Sequence, residues 1–409
     1  MSELRSRIYE GFVTHARTRP VKHGFSFPIY SFVLDLDELE KLDKELIYIN
    51  YLAAGVGSND IGLDRGQIGG TRIIKFIKMG PKILMVQPNY KFRAVSENQE
   101  EIKSVEDAFA KSTIWGFAIK ASSNDKFIVD ATEFSMRDSH MVSARLKRQN
   151  QGTFKIDQKS SSFDAVSSKN FPFNTEIESF LTFRGMATGR WLSSVSPNSE
   201  SFSVRTRHSF VQLPDEGYSP RKFDPRAGYG AMTFYDYASP IEDDLHVKYI
   251  RRHRLIKKYP NQELSEAVEP IIYYLDRGVP EPVKSALIEG ASWWNEAFEA
   301  AGFKNAFQIK VLPEGADMLD VRYNVIQWVH RSTRGWSYGS SVVDPRTGEI
   351  IKGHVSLGSL RVRQDYLIAE GLLRPYAEDN KKDLMKEMAI KRLRQLSAHE
   401  VGHTIGLSH

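Results

Sequence analysis

At 409 residues, 41% hydrophobic and 26% charged, the chain has enough apolar material to bury an ample core in two or three domains. Its formal net charge of +5 is too small to point to a nucleic-acid partner, and no apolar run is long enough for a membrane-spanning helix. The absence of cysteine excludes disulfides, a thiolate metal site and a cysteine that blocks a metal before activation.

In chain order, Met1 to Thr14 shows no apolar segment followed by a small-residue cleavage site, so no secretory leader is expected from this stretch. His15 and His23, eight apart in a basic stretch, read as surface residues. From about Leu46 the texture changes. Gly55, Gly57, Gly62, Gly66, Gly69 and Gly70 stud a loop-rich region that lacks the strand before and helix after that a phosphate cradle requires. Strands are expected at Ile73 to Met79, Lys82 to Gln87 and Tyr90 to Val95, with Gly80 and Pro81 as a turn. Ile102, Val105 and Phe109 mark an amphipathic helix over 99–111. Trp115 to Ile119 and Lys126 to Val129 flank a hairpin turn, and Glu176 to Thr182 and Ser201 to Gln212 read as further strands. The serine-rich stretch from Lys159 to Asn170 reads as an exposed loop. Residues 46–213 thus form a strand-rich domain.

Residues 214–268 read as an extended linker followed by a basic helical segment. The run Lys248, Arg251, Arg252, Arg254, Lys257 and Lys258 suits a solvated helix face. Pro214 to Tyr237 reads as linker or as a cover for a cleft, in which Asp224 or Asp236 is a minor candidate for masking a metal. A second domain is expected over 269–409. It opens with a strand at Ile271 to Leu275, a helix from about Glu281 to Ala301 and strands at Phe307 to Leu312 and Val321 to Val329. A hairpin follows around Asp344 to Gly348, then a helix from Asp383 to His403 on which Met385, Ala389, Leu393 and Leu396 keep helical spacing into His399 and His403. The fold class is therefore α+β.

The chemistry is concentrated in residues 399–409, which read HExxHxxGxxH. Two histidines four apart on a helix lie about 40° apart around the axis and about 6 Å along it, so His399 and His403 can share one metal ion. A helix continued to His409 would carry that residue about 15 Å along the axis from His399, out of reach of the same ion. Gly406 supplies the stop, because a residue without Cβ takes the left-handed turn that ends a helix. Three neutral imidazoles leave one position of tetrahedral Zn²⁺ open for water, the pattern of a catalytic site. Glu400, beside the first ligand, is the candidate general base.

This string resembles the zinc helix of the metzincin metallopeptidases. The resemblance implies a zinc cofactor and a peptide or protein substrate. Metzincins continue past the third histidine to a methionine-containing turn, whereas this sequence ends at His409, so the catalytic domain is expected to be incomplete after its third ligand. More widely, residues 46–409 resemble a bacterial family of large zinc-dependent metallopeptidases with uncharacterised domains ahead of the zinc helix. Gly57 to Gln67, Val129 to Thr132, Ala291 to Phe298, Asp320 to Asn324 and Val343 to Gly348 carry that likeness. It implies a periplasmic, outer-membrane-associated or secreted protein. Within residues 1–45, Ile8 to Gly11, then His15, Arg17, Arg19, Pro20 and His23, and Phe32 to Leu39 are similar instead to the opening of a small unrelated bacterial family, which suggests a foreign or fused segment. In metallopeptidases of this order a strand before the zinc helix lines the cleft and pairs with substrate, and Gly353 to Leu357 is the candidate. His354 reads there as a cleft-side or exposed strand histidine or, alternatively, a ligand or acid, whereas His246, His253 and His330 read as structural. Two functions stay open: a zinc-dependent endopeptidase, and a non-catalytic binding or structural protein of the cell envelope stapled by its metal.

Overall fold

The structure, a computed structural model, describes residues 12–13, 31–34, 44–123, 126–333, 335–373 and 382–409. It divides into two compact units. One takes residues up to 56, 67–215 and 233–248, and the other takes 57–66, 216–232 and 249–409. The chain thus crosses between units more than once.

The first unit is built on an eleven-stranded antiparallel sheet. Leu46–Ala54, Gln67–Met79 and Lys82–Gln87 follow one another as neighbours, and the long pair Asn174–Ala187 and Ser201–Gln212 extends the sheet beyond Leu46–Ala54. Inward-facing Tyr48, Ile74, Phe76, Met85, Phe117, Phe134 and Phe210 fill its main core. His208 is also buried there, with Tyr48 Oη 2.7 Å from its Nδ1. The helix Gln99–Ala108 starts where Asn98 Oδ1 accepts the Glu100 N–H at 3.1 Å, an N-cap the sequence pattern favours. Ser31–Leu34 pairs with Lys126–Asp130, and Phe12–Val13 beyond it ends the sheet. His15 and His23 lie outside the described residues.

Three local expectations give way to the structure. Ser162–Asn170, read as a loop, is a strand paired with Asn174–Ala187. It sits on the rim of the sheet, where a polar strand needs no apolar face. Gly69 and Gly70 lie within the strand Gln67–Met79 rather than in a loop. The basic run at 248–258 is not helical: His246–Ile250 is a strand and the residues after it are irregular.

The second unit carries the histidine motif. Its sheet consists of β1 (Ile271–Leu275), β2 (Phe307–Val311), β3 (Asn324–Val329), β4 (Tyr338–Val343) and β5 (Ile350–Gly358), in spatial order β2-β1-β3-β5-β4. All neighbours are parallel except β4, which runs antiparallel to β5. Two helices, α1 (Val283–Ser292) and α2 (Trp294–Ala300), connect β1 to β2, as a parallel pair requires a crossover. The expected single helix is thus two. After β5 come α3 (Arg361–Leu373), which periodicity had not revealed, and α4 (Lys382–Thr404), the expected metal helix.

One face of this sheet packs on α1 and α4 through Tyr273, Leu275, Ile326, Trp328, Val355 and Leu357 against Leu287, Ala291, Leu393 and Val401. Because strand side chains alternate, Gln327, Lys352, His354 and Ser356 belong to the opposite face. There the segment 57–66 lies against the sheet, with Gly66 so close to Gln327 and His354 that any Cβ at residue 66 would meet Gln327 Oε1. Among the described residues no helix is long and apolar enough to cross a membrane.

Candidate metal centre

The position of α4 is fixed by close backbone approach and by polar anchors. A Cβ on Gly290 of α1 would come within 2.1 Å of the Arg394 carbonyl oxygen, so only glycine lets the two helices sit this near. Ser397 Oγ donates to the Leu287 carbonyl at 2.7 Å and Trp294 Nε1 donates to the Ala398 carbonyl at 2.8 Å. Asp365 of α3, fully buried, pairs with Arg361 at 3.1 Å and with Arg392 of α4 at 2.9 Å. These contacts determine where the last turn of α4 presents its side chains.

That turn brings together the residues singled out by spacing. His399, His403 and His409 offer one ring nitrogen each within 4.8 Å of one another. The Nε2 atoms of His399 and His403 stand 3.1 Å apart. His403 Nδ1 lies 2.9 Å from the Leu407 carbonyl; donating a proton there fixes the tautomer and leaves Nε2 as the free electron pair. Burial, then the neighbouring His403 and His409, lower the proton affinity of His399. Three converging imidazole nitrogens, one oriented from behind by a carbonyl, make a donor set that suits zinc.

His409 reaches the cluster because the helix ends as its glycine predicts. Gly406 has φ +113°, and a Cβ there would lie 2.0 Å from the Arg251 carbonyl oxygen. The Leu407 N–H returns to the Gly402 carbonyl at 3.0 Å. Residues 228–230, inside the stretch read as a linker, hold this turn by main-chain bonds. Gly230 N–H donates to Gly406 O at 2.7 Å, and Ser408 N–H donates to Gly228 O at 2.9 Å. Sequence reasoning missed this latch, and the closely spaced Gly228 and Gly230 were its only visible sign.

Glu400 is 5% exposed and lines the same cleft as the three histidines. Burial raises its pKa, partly offset by His403, by a hydrogen bond from the Gly339 N–H and by Arg361. Gly339 belongs to β4, and a Cβ on it would meet the Glu400 carbonyl oxygen at 2.3 Å, so strand and helix are in contact. Ser341 Oγ donates to the Thr404 carbonyl at 3.1 Å. The cleft, about 720 Å³, is lined by Trp336, Ser337, Tyr338, Gly339, Ser340 and Ser341 on the strand side and by Gly230 and Arg251 near the latch.

The strand expected to line the cleft is the wrong one. Gly353 to Leu357 belongs to β5, which is paired on both sides, by β3 and by β4, and has no edge to offer. Among the described residues β4 is the edge strand on this side of the sheet, and β2 is the edge on the other. His354 is 7% exposed on the far face, and burial lowers its pKa to about 3, so it is a neutral core residue outside the histidine cluster. His253 is half-buried with its Nε2 3.1 Å from Tyr273 Oη, and His330 Nδ1 lies 2.9 Å from Ser359 Oγ. Asp224 caps the turn Pro225–Ala227, and Asp236 accepts the Val95 and Ala238 N–H groups; both are engaged locally.

Comparison with known families gives two matches. Residues 381–409 match the family described as Met-zincin, and residues 66–258 match a domain of unknown function, DUF5117. Neither the curated proteins nor the solved structures gave a match. The end of the chain is therefore a metzincin-like segment with a histidine group able to hold a metal ion.

Proposed function

We propose that this protein is a zinc-dependent metalloendopeptidase in which His399, His403 and His409 hold the ion and Glu400 is the general base. The observation that carries this reading is the joint placement of three convergent imidazoles and a buried carboxylate in a cleft walled by an open sheet edge. When bound, zinc supplies a Lewis acid that polarises a carbonyl and makes water acidic enough to attack near neutral pH.

The protein's own part is to position and to move protons. An extended peptide laid along the outer edge of β4 can pair with main-chain groups other than the Gly339 N–H, which selects for backbone rather than for one side chain. Glu400 takes the proton of the attacking water and can then deliver it to the leaving amine. Its raised proton affinity suits that double task, and the Gly339 N–H aims the carboxylate from the same strand that holds the substrate.

The test is cleavage of an unfolded protein substrate by the zinc-loaded protein carrying its complete catalytic domain and by the same protein with Glu400→Gln. The reading expects both to bind zinc and the variant to lose at least ~100-fold in rate, the low end for a general base. Equal inertness of two zinc-loaded proteins would favour the metal-stapled binding protein instead.

A further inference from the structure

One side chain in the cleft is not needed for the chemistry. Trp336 precedes β4, lines the cleft and is 67% exposed. Exposed aromatics are common, but the backbone that carries this one is tied down. Arg331 Nη1 donates to the Trp336 carbonyl at 2.9 Å. The Arg331 guanidinium is paired with Asp64 at 3.0 Å, and both side chains are 1% exposed. A charge buried so deeply is held only with its partner in place.

Asp64 comes from the segment 57–66, far away in sequence, and that segment grips the same approach to β4 at other points. Ser332 N–H donates to Gly57 O at 2.8 Å, and Thr333 Oγ1 donates to Asp60. Asn59 Nδ2 donates to Asp64 at 2.8 Å, and a Cβ on Gly335 would meet Asn59 Oδ1 at 2.3 Å. The Arg331 guanidinium also lies 5.8 Å from the Tyr338 ring, the first residue of β4. Such over-determination is wasted on a surface loop. It makes sense where the backbone that carries an apolar wall must stand still beside a bound chain, since a mount fixed beforehand need not be ordered on contact.

We propose that Trp336 is the wall of a subsite for a large apolar side chain of an extended peptide, and that Asp64 is a positioning residue that fixes this wall through Arg331. This inference rests on the reading of the cleft as a peptide site. The segment 57–66 is accordingly a working part of the metal-bearing unit, although the matched metzincin-like segment begins only at residue 381.

The test uses the zinc-loaded full chain and peptides identical except for Phe, Leu, Gly or Asp at each position in turn. Binding is read by anisotropy on Glu400→Gln, and hydrolysis on the unaltered protein, with cleavage sites mapped by mass spectrometry. One position should prefer Phe or Leu over Gly by roughly tenfold or more, as a filled apolar pocket does. Trp336→Ala should abolish that preference with zinc content and melting temperature unchanged, and Trp336→Phe should restore most of it. Asp64→Asn should raise KM for the Phe peptide more than it lowers kcat and speed amide exchange in 332–341. Should Asp64→Asn not fold, Thr333→Ala, which cuts one tether, should give the same exchange signature in milder form. An undiminished preference in Trp336→Ala overturns the proposal. Selective binding without hydrolysis keeps the subsite and removes the peptidase, whereas hydrolysis without any side-chain preference does the reverse.

Discussion

Replacing Gly406 with alanine tests the geometry of the third ligand. At φ +113° an L-residue is strained, and the added Cβ would stand 2.0 Å from the Arg251 carbonyl oxygen, where ordinary contact begins at 3.4 Å. Relief therefore needs a retreat of 1.4 Å, the difference between those two distances, by the turn or by Arg251. The turn cannot move freely, because its carbonyl and that of Gly228 are tied to Gly230 and Ser408. His409 lies three residues on, and zinc tolerates only about 0.2 Å around a Zn–N distance of roughly 2.0 Å. If strain alone is charged against metal binding, a cost of ~1–3 kcal/mol weakens zinc by roughly 5- to 150-fold. A competition titration with a chromophoric chelator measures this, with His409→Ala as the reference for complete loss. Zinc affinity unchanged in Gly406→Ala would refute the argument that this glycine returns His409 to the cluster.

Other expectations follow from the same contacts. Gly290→Ala should force α1 and α4 apart at Arg394, at a cost of ~1–3 kcal/mol read as a lower denaturation midpoint. In the first unit, burial and then the charge of Arg137 lower His208 to about 3 against an ordinary value of 6.5. The unfolded chain binds that proton as pH falls below 6.5 while the folded chain refuses it, so stability is complete above pH 6.5 and declines toward about pH 3. Denaturation between pH 7 and 5 should show a loss of ~2 kcal/mol from this group, and His208→Gln should flatten that part of the slope.

The histidine cluster was legible because its geometry is local. Eleven consecutive residues contain the helical spacing, the glycine stop and the returning ligand, so the pattern can be read without the distant latch at 228–230 that holds the turn in place. The strands β1, β2 and β3 were legible for a similar reason, since each is a short apolar run between turn residues. Sheet order was not. Residues 350–358 precede the metal helix in sequence, yet β4 inserts itself at the edge by running back antiparallel, and no periodicity announces that choice. In sequence β5 carries Lys352, His354 and Ser356 on alternate positions and reads as half-exposed, although eight of its nine residues are buried. The Asp64–Arg331 pair, the latch at 228–230 and the rim strand Ser162–Asn170 share one cause of invisibility: each depends on a partner remote in sequence. Trp294 illustrates a subtler miss. Its place keeps helical spacing, but its indole reaches back to Ala398, next to the point where the chain passes from α1 to α2.

The most direct test of the account is the metal itself. Purified chain equilibrated with zinc and freed of excess should retain one ion per molecule. X-ray absorption should report three nitrogen neighbours at about 2.0–2.1 Å, falling to two in His409→Ala. A folded chain that holds no stoichiometric zinc, or one whose zinc environment is indifferent to the loss of His409, would contradict it.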